Sequence, residues 1–379
     1  MRMGDNPRPD LDTREEITNR LGEDLPLCYQ CGGCTGVCPW GEVGGGLNPR
    51  VIMRRGQLGI GNILSDEIWL CTTCDECVDQ CPHQVNLPSV MSSIRSLSVE
   101  KAMIPGDLQD ALESMFRLGN PWSGSVRKRV EWTKDIEVPD YEDQDMLWWV
   151  CCTLSYDDRN RNVARAMAQI LNVLDASYGI MGRDEKCCGN SARRMGEEGL
   201  FMELRNENMK AIKKLGAEKI LTTSPHCYNA FKNEYSDLEA DIVHYTQYLH
   251  DRMDDIDFLG EFGHTVAYKD PCYLGRHNNV YEEPRELLKS IPELELIEMD
   301  RNRETALCCG GGGGRIWAET DPEQRFSNIG VEDALESGAD ILATACPYCT
   351  LNFEDSAKTL DIEDEIDIMD IAEILLSVI

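Results

Sequence analysis

The chemistry of this chain is concentrated in cysteine, which supplies 18 of its 379 residues. Residues 28–39 read CYQCGGCTGVCP and set Cys28, Cys31, Cys34 and Cys38 ahead of Pro39. Residues 71–82 read CTTCDECVDQCP and set Cys71, Cys74, Cys77 and Cys81 ahead of Pro82. Thiolates at this density suit soft metals, iron and zinc among them. In a short secreted chain they would instead imply disulfides. This chain is long and opens on MRMGDNPRPD, without the apolar stretch of a secretory signal, so metal is the expected use.

Both runs follow C-x2-C-x2-C-x3-C-P, the spacing of two-cluster bacterial ferredoxins. The logic is geometric. Three thiolates in a tight loop grip three corners of a cubane, and the fourth, freed by a turn and ended by proline, ligates the other cluster. Cys28, Cys31, Cys34 and Cys81 are therefore expected to hold one [4Fe-4S] cluster. Cys71, Cys74, Cys77 and Cys38 are expected to hold a second. A pair of zinc sites is the competing reading, but zinc needs neither the third cysteine nor the terminal Cys-Pro, and both occur twice. Between the runs, Asn48-Pro-Arg50 and the apolar residues 51–53 predict a helix, with Arg54 and Arg55 read as solvated.

Nine of the remaining ten cysteines form a repeat. Cys152, Cys187-Cys188-Gly189 and Ser224-Pro-His-Cys227 recur as Cys272, Cys308-Cys309-Gly310 and Cys346-Pro-Tyr-Cys349. Flanking sequence recurs with them, GAEKILTT before the first closing motif and GADILATA before the second. A duplicated module accounts for this. In each half an apolar segment (146–150; 265–268) runs into the first cysteine, and a β-like segment (220–223; 341–344) runs into the last, each followed by a helix. Val163, Met167, Ile170 and Leu174 are spaced as one helix face. The pattern predicts a small parallel sheet per half, with cysteines at the C-terminal strand ends, where α/β folds place ligands. Five thiolates with an adjacent pair exceed what one zinc or one cubane needs, which suggests a bridged cluster; a buried cysteine group with one zinc is the alternative.

With these motifs in view, the chain resembles the heterodisulfide reductase family of iron–sulfur proteins, in the arrangement that fuses a ferredoxin-like subunit to a subunit with two CCG (cysteine-rich) domains. The strings that carry the resemblance are CCTLSYD, KCCGN, SPHCYNAFKNEY, DPCYLGRHN, CCGGGGGRIW and ACPYC, with Gly119-Asn-Pro-Trp122 in the linker. It implies a helical ferredoxin-like domain (27–100) after an N-terminal segment (1–26), a linker (101–144), and two α/β CCG domains with small parallel sheets (145–260 and 261–379). It further implies that Cys272, Cys308, Cys309, Cys346 and Cys349 hold a noncubane [4Fe-4S] cluster at which a disulfide, such as that of coenzymes M and B in methanogenesis, is cleaved. The first half departs from the pattern, since Ser224 stands where Cys346 stands in the second. Cys152, Cys187, Cys188 and Cys227 are expected to hold a further cluster, whether cubane, serine-ligated or weaker. Cys151 is left over, a buried spectator or a substitute ligand.

Two readings of function follow. The chain is either the catalytic subunit of a heterodisulfide-reductase-type complex or an electron relay between a flavoprotein dehydrogenase or electron-transfer flavoprotein and a membrane quinone or cytochrome partner. Expected partners are other redox subunits: a flavoprotein, a cytochrome b, or a hydrogenase or dehydrogenase subunit. The glycines 310–314 lack the Lys-Ser/Thr of a phosphate loop. Gly310 and Gly311 are read as cofactor-binding, their amides approaching cluster sulfide. His226 and His277 are candidates to deliver protons to a thiolate product. A net charge of −31 excludes a nucleic-acid footprint and fits a solvated acidic surface or a face for a basic partner. The longest apolar run, 146–152, is too short to span a bilayer, so a cytoplasmic protein is expected, attached to a membrane only through a partner.

Overall fold

The computed structural model describes residues 9–21 and 24–379; residues 1–8 and 22–23 of the expected N-terminal segment lie outside them. The N-terminal part is helical. The helix expected between the two cysteine runs is Pro49–Leu58, begun by proline at its first turn and by the Asn48 side chain, which accepts the Val51 N–H at 3.2 Å. It ends at Gly59, whose φ of 62° needs a residue without a Cβ. Arg54 is exposed as expected, whereas Arg55 is half-buried and paired with Glu67 at 3.1 Å. A second long helix, Leu87–Glu100, buries Val90, Met91, Ile94 and Leu97 along one face.

The helix Gly106–Leu118 closes at Gly119, and the Gly-Asn-Pro-Trp stretch turns the chain toward the first sheet. Asn120 pins that turn: its amide donates to the Gly124 carbonyl at 2.8 Å, and its Oδ1 accepts the Trp122 N–H at 3.0 Å.

The duplicated halves fold alike. The first sheet contains β1 (Met146–Trp149), β2 (Tyr178–Ile180), β3 (Lys219–Thr222) and β4 (Asp241–His244) in the order β2-β1-β3-β4, all parallel. The second contains β5 (Thr265–Tyr268), β6 (Glu295–Ile297), β7 (Ile341–Thr344) and β8 (Asp367–Asp370) in the order β6-β5-β7-β8, also all parallel. The expected strands thus formed. β1 and β7 are buried throughout, which is why they read as unbroken apolar runs. The chain leaves β1 for one neighbour and returns on its other side as β3, so the crevice between the C-terminal ends of β1 and β3 is a topological switch point, as is that between β5 and β7. The helix expected from residues 163–174 is Asn160–Val173, buried at Val163, Met167 and Ile170 of the predicted face, with Leu174 half-buried at its C-cap.

The halves pack on each other through polar as well as apolar contacts. Tyr245 donates to Asp370 at 2.7 Å, and Arg159 reaches across to Glu354 and Glu373.

Candidate metal centres

Each group of cysteines lies on short elements whose backbone turns are tight enough to gather sulfur atoms. Cys34 and Cys77 sit in one-turn helices, Gly33–Gly36 and Glu76–Asp79. Both helices start from a left-handed residue, Gly32 (φ 91°) and Asp75 (φ 67°). The two loops exchange their last cysteines: Cys34 has Cys28, Cys31 and Cys81 around it, while Cys77 has Cys71, Cys74 and Cys38. Backbone N–H groups point at sulfur, Gly33 to Cys31 at 3.5 Å and Val85 to Cys81 at 3.4 Å. Burial pushes the Cys71 thiol up to about 11 and raises Cys77 strongly, so these sulfurs need a metal to be thiolates at neutral pH.

In the second half, Cys272 follows β5, and Cys346 and Cys349 bracket the start of the helix Pro347–Thr359 after β7. Cys308 and Cys309 come from the loop after β6, so all five meet at the switch point. The sulfurs form a string. Cys272 Sγ is 4.0 Å from Cys308 Sγ, Cys309 lies within reach of Cys308 and Cys349, and Cys349 within reach of Cys346. The Gly310 N–H donates to Cys308 Sγ at 3.4 Å, and the Asn352 amide holds the Cys309 carbonyl at 2.7 Å.

This set abuts the N-terminal loop directly. Cys74 lies within reach of Cys308, and Cys308 Sγ is 3.7 Å from Thr72 Oγ1. The glycine run makes the approach possible. A Cβ at Gly312 or Gly313 would fall far inside contact distance of the carbonyl oxygens of Thr72 and Cys71. The close approach these two glycines permit is therefore to the backbone of the other cysteine loop. Gly310 and Gly311 line the second half's own sulfurs, Gly310 at φ 92°.

The first half gathers Cys152, Cys187, Cys188 and Cys227 in the same way after β1, β2 and β3. Cys187 is within reach of Cys152 and Cys188, and Cys188 of Cys227. The Gly189 N–H donates to Cys187 Sγ at 3.4 Å, as Gly310 does to Cys308. Cys151 is also here, buried and within reach of Cys227, while Ser224 is buried on the opposite loop.

Cations surround the sulfurs, and the motif spacing held no sign of them. Arg129, 3% exposed, donates to Cys152 Sγ at 3.2 Å and to Glu185 at 2.7 Å. Arg276 donates to the Cys74 carbonyl at 2.7 Å and lies near Cys272 and Cys308. Arg95, fully buried, donates to the carbonyls of Ile68, Cys71, Arg194 and Gly313 at 2.7–3.1 Å. Positive charge in a low-dielectric setting stabilises anionic thiolates and the clusters they hold. All 18 cysteines are free, and the buried sets combine soft donors, N–H groups aimed at sulfur and compensating charge. That donor chemistry fits iron–sulfur clusters.

Comparison with known proteins agrees. A family described as "4Fe-4S dicluster domain" matches residues 27–85, and one described as "Cysteine-rich domain" matches residues 146–232 and 266–354. A dihydromethanophenazine:CoB--CoM heterodisulfide reductase subunit of Methanosarcina barkeri is 31% identical, with 97% of each chain covered. The chain belongs to the heterodisulfide reductase family. "Probable iron-sulfur-binding oxidoreductase FadF" of Bacillus subtilis is 32% identical over 93% of this chain, and "EtfAB:quinone oxidoreductase" of Syntrophomonas wolfei 29% over 93%. The chain spans 59% and 58% of the lengths of those two relatives.

Two further features of this heterodisulfide reductase family member bear on its chemistry. A pocket of about 210 Å³ reaches Cys309 and Gly310 of the second half, and its walls carry Trp40, Trp317, Arg315 and Glu319 together with Arg325, which is paired with Asp355. Arg315 donates to the Glu319 carbonyl at 3.1 Å and to the Thr320 hydroxyl, and has no carboxylate partner among the described residues. The histidines, by contrast, are not poised as imidazolium donors. His226 and His277 stack on opposite faces of the Tyr273 neighbourhood, each with a ring-centroid distance of 4.0 Å to Tyr273. Burial holds both near 3, so they are neutral hydrogen-bonding groups at physiological pH. Among the described residues no helix is long and apolar enough to cross a membrane.

Proposed function

We propose that the chain reduces an anionic disulfide at the second half, with electrons entering through the N-terminal cysteine loops. The observation that carries this reading is the position of Cys309 and its neighbours. They have the Thr72 loop, with Cys71 and Cys74, on one side and on the other an open pocket that carries Arg315, a cation without a carboxylate partner among the described residues. A path from donor to substrate needs both.

In this reading Cys28, Cys31, Cys34 and Cys81 hold one [4Fe-4S] cluster and Cys71, Cys74, Cys77 and Cys38 another. Cys272, Cys308, Cys309, Cys346 and Cys349 hold a noncubane cluster, approached by the Gly310 and Gly311 backbone, and Cys152, Cys187, Cys188 and Cys227 hold a further one. When bound, the clusters supply one-electron transfers and an iron site for the sulfur fragments. Arg315 binds and orients an anionic end of the substrate, and Trp40 and Trp317 cover its apolar part. The reaction consumes two electrons and two protons for each disulfide cleaved to two thiols. The electrons come from a redox partner (a flavoprotein, a cytochrome b, or a hydrogenase or dehydrogenase subunit), and the protons enter through the solvent-open pocket. The competing reading, a relay from a flavoprotein to a quinone, is favoured by the likeness to the quinone oxidoreductase relative.

Anaerobic oxidation of reduced viologen by a panel of disulfides separates the two. Turnover with the disulfide of coenzymes M and B, and weaker turnover with neutral disulfides, is expected. Turnover with a soluble quinone and none with any disulfide would favour the relay. Metal analysis of anaerobically purified protein should give about 16 iron atoms per chain, four for each of four clusters; about 8, with only ferredoxin-like absorbance, would remove clusters from the duplicated halves.

The exchange of terminal cysteines has its own test. Replacing Cys81 with alanine is expected to damage the cluster of Cys28, Cys31 and Cys34, far away in sequence. Spectra in which only the cluster of Cys71, Cys74 and Cys77 changed would contradict the crossing.

A further inference from the structure

We propose that Cys151 is the fifth thiolate of the first half and takes over the ligand place that Ser224 leaves empty. In the second half the sulfurs run in the order Cys272, Cys308, Cys309, Cys349, Cys346, each within reach of the next. In the first half the order is Cys152, Cys187, Cys188, Cys227, Cys151. Cys151 thus touches Cys227 as Cys346 touches Cys349, although it comes from a different loop. By the repeat, its counterpart in the second half is Pro271, which carries no sulfur, and the counterpart of Ser224 is Cys346. The donor lost from the loop after β3 is regained from the loop after β1.

A second observation points the same way. Cys151 has φ 87° and ψ 145°, a backbone region that is essentially reserved for glycine. Such a conformation persists only where the surroundings impose it. Here Glu185 accepts the N–H groups of Val150 at 2.9 Å and Cys151 at 3.1 Å, and Ser155 donates to the Cys151 carbonyl from its N–H and its hydroxyl. The strain is held in place by a buried carboxylate, and it fixes the Cys151 side chain beside Cys227. Ser224 offers little in exchange, since a hydroxyl stays protonated where a coordinated thiol does not. The first half therefore has a complete set of five thiolates, and both halves hold clusters of the same ligand number.

This inference rests on the reading that the first half binds a cluster at all, and the experiment separates the two. Cys151→Gly in the full chain suits the strained backbone and should fold, as its thermal unfolding will report. It is expected to lose the first-half cluster signal in electron paramagnetic resonance and about four of about 16 iron atoms. Adding Ser224→Cys to Cys151→Gly restores a thiolate at the position used in the second half and is expected to recover both readouts. If Cys151→Gly keeps the full iron content and an unchanged spectrum, Cys151 is not a ligand, although the half holds its cluster. If the unaltered chain already lacks that iron, the cluster reading of the first half fails and the inference with it.

Discussion

Replacing Cys346 with serine is expected to reduce disulfide turnover to less than about a hundredth of the unaltered rate, because changes merely outside a metal's ligand shell already cost about 10–100-fold. Both N-terminal clusters should still be reduced by viologen, since Cys346 lies on the loop after β7, while their cysteines lie on the two N-terminal runs. The pocket should be unaffected, because its lining includes Cys309 and Gly310 but not Cys346. Kinetics and cluster reduction, measured on the same sample, therefore part company. Turnover that survived this change but failed on substitution of Cys187 or Cys188 would move the reaction to the first half.

The second large effect is expected from Gly312→Val. The added side chain must displace the Thr72 carbonyl, which belongs to the backbone of a cysteine-bearing loop and cannot swing aside as a flexible side chain would. Overpacking of this kind costs about 1–3 kcal/mol of stability. The functional cost is larger, because the displaced loop carries Cys71 and Cys74 away from Cys308. Misplacement by ~1 Å can cost on the order of 10²-fold in rate. Rapid mixing with reduced viologen should show the N-terminal clusters filling at the usual rate and the second half filling slowly. Unaltered filling of the second half would show that electrons do not cross at this contact.

Much of this architecture was legible in the residues. Cysteine spacing is a local geometric constraint, so the two ferredoxin-type runs and the duplicated set could be read without knowing the fold. The strands β1, β3, β5 and β7 were visible because parallel strands buried on both faces show as short apolar runs. The placing of cysteines after them followed from where α/β sheets bind ligands. What stayed hidden depends on partners remote in the chain. Arg129 and Cys152, or Arg276 and Cys74, meet only through tertiary packing. Gly310 and Gly311 could be read as lying beside sulfur, but that Gly312 and Gly313 pack on a loop some 240 residues earlier could not. His226 and His277 looked like proton donors beside the clusters, and only their burial around Tyr273 shows that they are neutral. Cys151 could be read only as a spectator or a substitute ligand, because its place beside Cys227 comes from the packing of two loops and not from the spacing of either.

Arg95 bears on whether this chain can be divided. Its guanidinium is fully buried and has no carboxylate partner among the described residues. Its hydrogen bonds go to main-chain oxygens in the N-terminal part, the first half and the second half. Burial lowers its pKa to about 10, so the group still carries its charge at neutral pH. A buried cation of this kind is tolerable only while all its acceptors are present. Separating any one of the three parts would strand a charge in a half-open interface, so partial opening is expected to be penalised. Cutting the polypeptide between the ferredoxin-like and duplicated portions is therefore expected to destabilise both, because Arg95 joins the contacts of Arg276 with Cys74 and of Tyr273 with Thr73 in tying them together.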